Sequence, residues 1–433
     1  MNFTNSYVPK RKKVNYKIVV PFLLLLGIVL FLGIELLTPK SNPVINENLV
    51  FCNLSPNKAQ DVILTDEVGE TRLFQDFGLY GETLGIYEND YTVASKDPLL
   101  GKTLYIKNLC NDDEYSFLMG SELDSKIPIE QLGNGIYSVE VLNGLTRQRF
   151  VSDRAINEGF TALSKNGQTK HLQFIADKDA FLLNDEDSQG TLDDHYLFFN
   201  VTTKAMEEDH YDVVLDPRGL TFFDNGNTDY GAKRKDIVEA DATYNLALGV
   251  AKQLEEKGLK VKIIRDNSSP IAQYGPGSRT ELAYVTNAKY YFQFNLRFSF
   301  YKPDKGMTIV YSNYASNGLA TALMESLNAA SDLPVSNFTS KNNTKGVYKS
   351  KLNQGMDGRH IVRELGGMFT GAGLLDEYAQ LNENYKDNIR GMQVVSIDYG
   401  FINDDVTYDS WMNQNQAIID ATAQGILKGL RIE

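Results

Sequence analysis

From residue 211 onward, short apolar runs alternate with stretches of helical spacing, and this alternation narrows the fold class more than any other property of the chain. Val213-Val214-Leu215 reads as a strand, 240–256 repeats apolar positions at helical spacing and stops at Gly258, and Val261-Lys262-Ile263-Ile264 is a strand again. The pattern goes on with a helix over 280–287, strands over 290–294 and 308–311, a helix over 319–329, a strand over 394–397 and a closing helix over 415–430. Such alternation predicts a mostly parallel sheet with helices on both faces. Residues 211–433 are therefore expected to form an α/β domain, although 331–390 shows no readable alternation.

Residues 49–205 have a different grammar. Runs such as Thr103-Leu104-Tyr105-Ile106-Lys107, Gly135-Ile136-Tyr137-Ser138-Val139-Glu140-Val141 and His171-Leu172-Gln173-Phe174-Ile175 are strand-like, and Asn134-Gly135 and Asn143-Gly144 are hairpin punctuation. An all-β N-terminal sandwich, Ig-like, is expected, ending on a strand near 196–201. An exposed Asp/Asn-rich loop is expected over 184–194.

Ahead of it, 18–37 holds twenty positions with Glu35 as the sole charge, enough helix to cross the roughly 30 Å core of a bilayer. No small-x-small cleavage site follows, so the segment reads as an uncleaved anchor. Lys10, Arg11, Lys12, Lys13 and Lys17 precede it without an acidic partner. The positive-inside bias then places residues 1–17 in the cytoplasm as a short tail, and everything after the 38–48 linker outside the cell membrane. The chain carries −13 in all and the basic tail contributes +5, which leaves −18 for the rest. An acidic exterior excludes nucleic acid as a partner, because that binding requires basic patches that release counterions.

Cysteine and histidine are scarce. Cys52 and Cys110 could form a disulfide or remain two buried thiols, since spacing alone does not place their Cβ atoms. Neither lies in a Cys-x-x-Cys cluster, and the histidines are His171, His195, His210 and His360. His360 opens a helix-like stretch and reads as a packing or surface residue rather than a metal ligand. Gly366 to Gly373 is glycine-rich without the Gly-Lys-Ser/Thr ending of a phosphate loop, and reads as a flexible rim.

Seven short motifs in the second half occur in a telling order. They are Asp216-Pro217-Arg218-Gly219; Asp229-Tyr230-Gly231-Ala232; Glu239 followed by Gly258; Ile264-Arg265-Asp266; the stretch from Arg279 to Ala288; Gln293-Phe294-Asn295-Leu296-Arg297; and Ile397-Asp398-Tyr399-Gly400-Phe401-Ile402-Asn403. Together, over 212–433, they resemble the zinc-dependent N-acetylmuramoyl-L-alanine amidases, bacterial enzymes that cut the stem peptide from the peptidoglycan sugar. The resemblance implies an amidase-like fold, with Arg218, Glu239 and Asn295 at the three zinc-ligand positions and Asp398 in place of the catalytic glutamate.

Two of those ligand positions have lost the chemistry. Family histidines are replaced by Arg218, which stays protonated, and by Asn295, whose amide oxygen is a poor zinc ligand. Asp398 is one methylene shorter than the glutamate it replaces, and without zinc nothing lowers the pKa of an attacking water. What the resemblance implies is therefore a degenerate module, with no cofactor expected, that binds peptidoglycan or a wall-processing partner. Two alternatives stand beside it: an active amidase with an unusual site, which would need zinc, and a structural or adhesive surface protein. If the degenerate reading holds, Arg218, Glu239, Asn295 and Asp398 converge, and Arg218 pairs with Glu239 or Asp398 in place of the ion. Otherwise Arg218 points to solvent beside its strand.

Overall fold

The computed structural model describes residues 70–88, 99–111, 113–178, 180, 192, 194–206, 210–223, 225–300, 306–337, 344–353, 356–365, 369–370 and 391–432. By contacts the chain divides at residue 49 into Met1–Leu49 and Val50–Glu433. The whole of the first unit, including the expected anchor at 18–37, lies outside the described residues. Among those described, no helix is long and apolar enough to cross a membrane.

The C-terminal half is built on a six-stranded sheet. Its strands are β1 (Val213–Pro217), β2 (Val261–Ile263), β3 (Tyr290–Arg297), β4 (Thr308–Tyr311), β5 (Val347–Lys349) and β6 (Gln393–Phe401). Their order is β2-β1-β3-β6-β4-β5. The first four in that order run parallel, and β4 and β5 run against them. The helices are α1 (Glu239–Glu256), α2 (Arg279–Tyr284), α3 (Gly318–Ala330), α4 (His360–Leu365), α5 (Asp405–Asn413) and α6 (Asn415–Gly429).

Both faces of the sheet are covered, and the period of two decides which residue goes where. Val213 and Leu215 of β1, Phe292 and Phe294 of β3, and Val395 and Ile397 of β6 point into one core with α1, α3 and α6. Val214, Tyr291 and Val394 point the other way, into a smaller core with α2 and α4. On α1 the buried positions Thr243, Leu246, Ala247, Val250, Ala251 and Leu254 recur at three- and four-residue intervals, which is the spacing that seats one helical face on a sheet.

The N-terminal half is all-β among the described residues apart from one 3₁₀ turn, but it is not a simple Ig-like sandwich. Its nine-stranded sheet forks at the strand Gly135–Asn143: Thr103–Asn108 takes one edge, while Thr146–Ser152 and Phe198–Ala205 share the other end to end. It also contains a parallel pair, Thr71–Leu73 with Thr146–Ser152. A small antiparallel sheet of Asp76–Tyr80, Thr83–Tyr87 and Ile127–Pro128 packs over it through Phe77, Leu84, Ile86 and Ile127. Asn143-Gly144 does make a hairpin, whereas Asn134-Gly135 leads into a strand and Asn166-Gly167 turns the hairpin between Ile156–Lys165 and Gln168–Ala176. Cys110 is disulfide-bonded; Cys52 and most of the 184–194 loop lie outside the described residues.

The two halves share more than a linker. Phe369–Thr370, expected in a flexible rim, adds an antiparallel strand to Asp76–Tyr80. Tyr80, Tyr87, Leu123 and Leu163 of the β half join the main core of the α/β half.

Candidate functional site

The same alternation that fills the cores builds the site. On the smaller-core face, each central strand changes from apolar to polar at its C-terminal end: Val214 gives way to Asp216, Tyr291 to Gln293 and Asn295, and Val394 to Ser396 and Asp398. Register aligns these positions, with Asp216 beside Gln293, Gln293 beside Ser396, and Asn295 beside Asp398. Ligand sites of open α/β sheets lie at the carboxyl ends of the strands, where neighbouring connections diverge. Here a cleft of about 1400 Å³ opens at that edge, lined among others by Arg218, Glu239, Asn295, Arg297, Arg359 and His360.

Beneath the cleft is a buried ion pair. Asp216 accepts hydrogen bonds from Arg279, from the Tyr291 hydroxyl at 2.6 Å and from the Gln293 amide at 3.1 Å. Burial alone would raise the Asp216 pKa, but Arg279, Tyr291, Gln293 and Arg218 outweigh it and hold it below the ordinary aspartate value. Arg279 also reaches the carbonyls of Pro217 and Gly219, and Arg265 those of Pro217 and Arg218. Two buried guanidiniums thus pin the turn that carries Arg218.

The four expected site residues all come to this edge of the sheet. Arg218, Glu239 and Asn295 face the cleft, and Asp398 lies directly behind two cleft arginines. Their partners differ from the expected ones. Arg218 donates to the Gln273 side-chain oxygen at 2.7 Å and makes no ion pair with Glu239 or Asp398. Glu239 is occupied by backbone: one oxygen accepts from Ala232 N–H and the other from Leu296 N–H, each at 2.9 Å. Its pKa is raised by burial, an effect only partly offset by those two amides and Arg218. Asp398, 2% exposed, pairs with Arg297 at 2.5 Å and Arg359 at 3.1 Å, and accepts from Thr308 Oγ1.

At the three ligand positions expected from the sequence stand a guanidinium, a carboxylate and an amide. Arg218 is a cation, each Glu239 oxygen accepts one backbone N–H, and the Asn295 amide nitrogen donates to Ser396 Oγ and the Ile397 carbonyl. Among the described residues no three His, Cys, Asp or Glu side chains gather in a way that could hold a metal ion. His360, read from sequence as a packing residue, lines the cleft and packs edge-on against Tyr274 at 4.7 Å between ring centres.

Sequence reasoning missed Arg297 and Arg359 as the counter-ions of Asp398. Arg297 stands at the end of a quoted motif, and its strand parity places it on the polar face with Asn295, which was a usable signal. Arg359 sits in a stretch without periodicity and had none. Nor did the sequence point to an aromatic rim of Phe222, Phe223, Phe298 and Phe300 beyond the ends of the main-sheet strands, Phe222 lying on the short strand Thr221–Phe222 and the other three in loops.

No protein-family model and no curated protein matches this chain. Among solved structures it is similar to the catalytic domain of CwlV, an N-acetylmuramoyl-L-alanine amidase from Bacillus (Paenibacillus) polymyxa var. colistinus, with 16% identity over 52% of this chain and 99% of that one, at a TM-score of 0.35. It is similar also to the amidase AmiC2 of Nostoc punctiforme, with 19% identity over 51% and 97%, at 0.34. The CwlD amidase from Clostridioides difficile, solved in complex with the GerS lipoprotein, shows 17% identity over 52% and 100%, at 0.35. At these scores the likeness says nothing about the chemistry of the cleft, which rests on the residues themselves.

Proposed function

We propose that the α/β half is a degenerate N-acetylmuramoyl-L-alanine amidase-like module that binds peptidoglycan, or a partner that processes it, without hydrolysing the amide. The observation that carries this reading is the state of the donor set. A hydrolytic zinc wants three free ligands and an open position for water. Here a guanidinium stands at one position, a carboxylate that accepts from two backbone amides at the second, and at the third an amide, whose neutral oxygen is a poor zinc ligand. Asp398, at the general-base position, is neutralised by two arginines and screened from the cleft. A base must come within hydrogen-bond reach of its water, and this one is held behind its counter-ions. In the same reading residues 18–37 anchor the chain in a bacterial cell membrane, with the folded part outside and the β half as spacer or second binding surface.

The test is co-sedimentation of the full-length chain, in detergent, with insoluble peptidoglycan, alongside an assay for released stem peptide. Retention without peptide release is the expected result. Peptide release that disappears in Asp398→Ala would establish an active amidase instead, and absence of any retention would remove the wall as ligand.

A further inference from the structure

The cleft is cationic in an acidic protein. Arg218, Lys233, Arg297 and Arg359 line it, against Asp229 and Glu239 in its wall and Asp398 behind. Every one of those carboxylates already has partners. Asp398 is shared by two guanidiniums, so one positive charge there is unmatched. Asp229 accepts from Gly231 N–H at 2.8 Å, and Glu239 from two amides. Arg218, fixed at one end by a neutral amide oxygen, keeps donors of its fork available. Next to this charge is the aromatic rim, in which Phe300 is 93% exposed and packs edge-on against Phe298 at 5.1 Å. Clustered exposed apolar rings mark surfaces that a ligand covers.

We propose that the cleft is a carboxylate-recognition site: Arg218, with Arg297 and Arg359, takes a free carboxylate of a ligand whose ring or chain lies against the phenylalanine rim. This rests on the wall-binding reading and gives it a direction. Hydrolysis of a muramoyl–alanine amide turns a neutral acyl group into a carboxylate on the sugar and leaves a free amine on the peptide. Zinc would polarise the amide, whereas a guanidinium binds carboxylate bidentately and gains little from a neutral carbonyl. The site is thus suited to wall material after amidase action rather than before it. Carboxylates of the stem peptide share this chemistry and are the second source.

The experiment titrates the full-length chain in detergent with N-acetylmuramic acid, with its methyl amide, and with free stem peptide. The free acid is expected to bind about tenfold or more tightly than the amide, the size of one charge-assisted contact. Arg218→Gln should erase the preference and Arg218→Lys retain part of it, both with an unchanged melting temperature. Stem peptide binding in the acid's place, with the same dependence on Arg218, supports carboxylate recognition and moves its source to the peptide. Equal binding of acid and amide, a preference untouched by Arg218→Gln, or no binding of any probe overturns the proposal. Retention on intact peptidoglycan in those cases would leave the wall-binding reading standing, so the two fail separately.

Discussion

Arg218 was expected to replace a metal by pairing with Glu239 or Asp398, and it does neither. The reason is local: Glu239, at the first position of α1, has both oxygens satisfied by Ala232 and Leu296 amides, and Asp398 is already paired twice. Which positions converge was legible from motif order, but which charge meets which was not. Arg359 reaches Asp398 from a segment with no periodicity to read. The buried pair beneath carries the firmest residue-scale expectation. Arg279→Gln should cost about 3–5 kcal/mol in urea unfolding, because it strands Asp216 without its cation. Since the Asp216 pKa is depressed, its contribution is present above the usual aspartate range and lost as pH falls through the lower folded value. In Arg279→Gln burial raises the Asp216 pKa, so the variant regains stability as that carboxyl protonates, and the gap to the native chain should narrow progressively as pH falls from the raised value to the depressed native one; a gap that stays constant from neutral pH into strong acid would point to another group. Glu82 behaves oppositely. Burial pushes its pKa up to about 7, against the Leu163 amide and Lys289 that favour its charge. A raised carboxylate costs stability as pH climbs from the unfolded value through the folded one. Glu82→Gln should accordingly melt higher than the native chain at pH 8, by a stabilisation of about 1–2 kcal/mol after allowance for partial exposure, and show no advantage near pH 4.

At the scale of elements, the strands and helices of the second half were readable because periods of two and 3.6 differ and because Gly258 stops α1. The position of the site was readable too, since the polar ends of β1, β3 and β6 all fall on one parity. The β half was harder. Short strands with clear alternation do not say which edge each occupies, so the fork at Gly135–Asn143 and the parallel pairing of Thr71–Leu73 were beyond reach. The strand Phe369–Thr370 was missed because its partner lies in the other half of the chain. Two glycines tie element geometry to the site. Gly219 (φ +82°) lets the turn after β1 pass α1, where a Cβ would sit 2.8 Å from the Ala240 backbone. At Gly231 (φ +81°) a Cβ would sit 2.3 Å from a Glu239 oxygen. Gly231→Ala is therefore expected to destabilise by about 2 kcal/mol or more and to weaken ligand binding, as it must displace the Glu239 carboxylate. Unchanged unfolding and binding would mean that the loop rearranges freely.

Over the whole molecule, the sequence boundary near residue 205 is real in composition but not in packing. Tyr80, Tyr87, Leu123 and Leu163 are buried with the core of the α/β half. Unfolding of the region after residue 49 should hence be a single cooperative transition by both near-UV and far-UV circular dichroism. Two separated transitions would show that the shared core contributes little. If 18–37 anchors the chain with its basic flank inside, protease added to intact cells should digest the protein beyond the linker, and complete protection beside a cleaved control surface protein would reverse that orientation. The central claim concerns the cleft. Calorimetric titration of the full-length, chelator-treated chain with zinc is its most direct test: the account predicts no saturable site at one ion per chain, and a tight one-to-one site abolished by Glu239→Gln would contradict it.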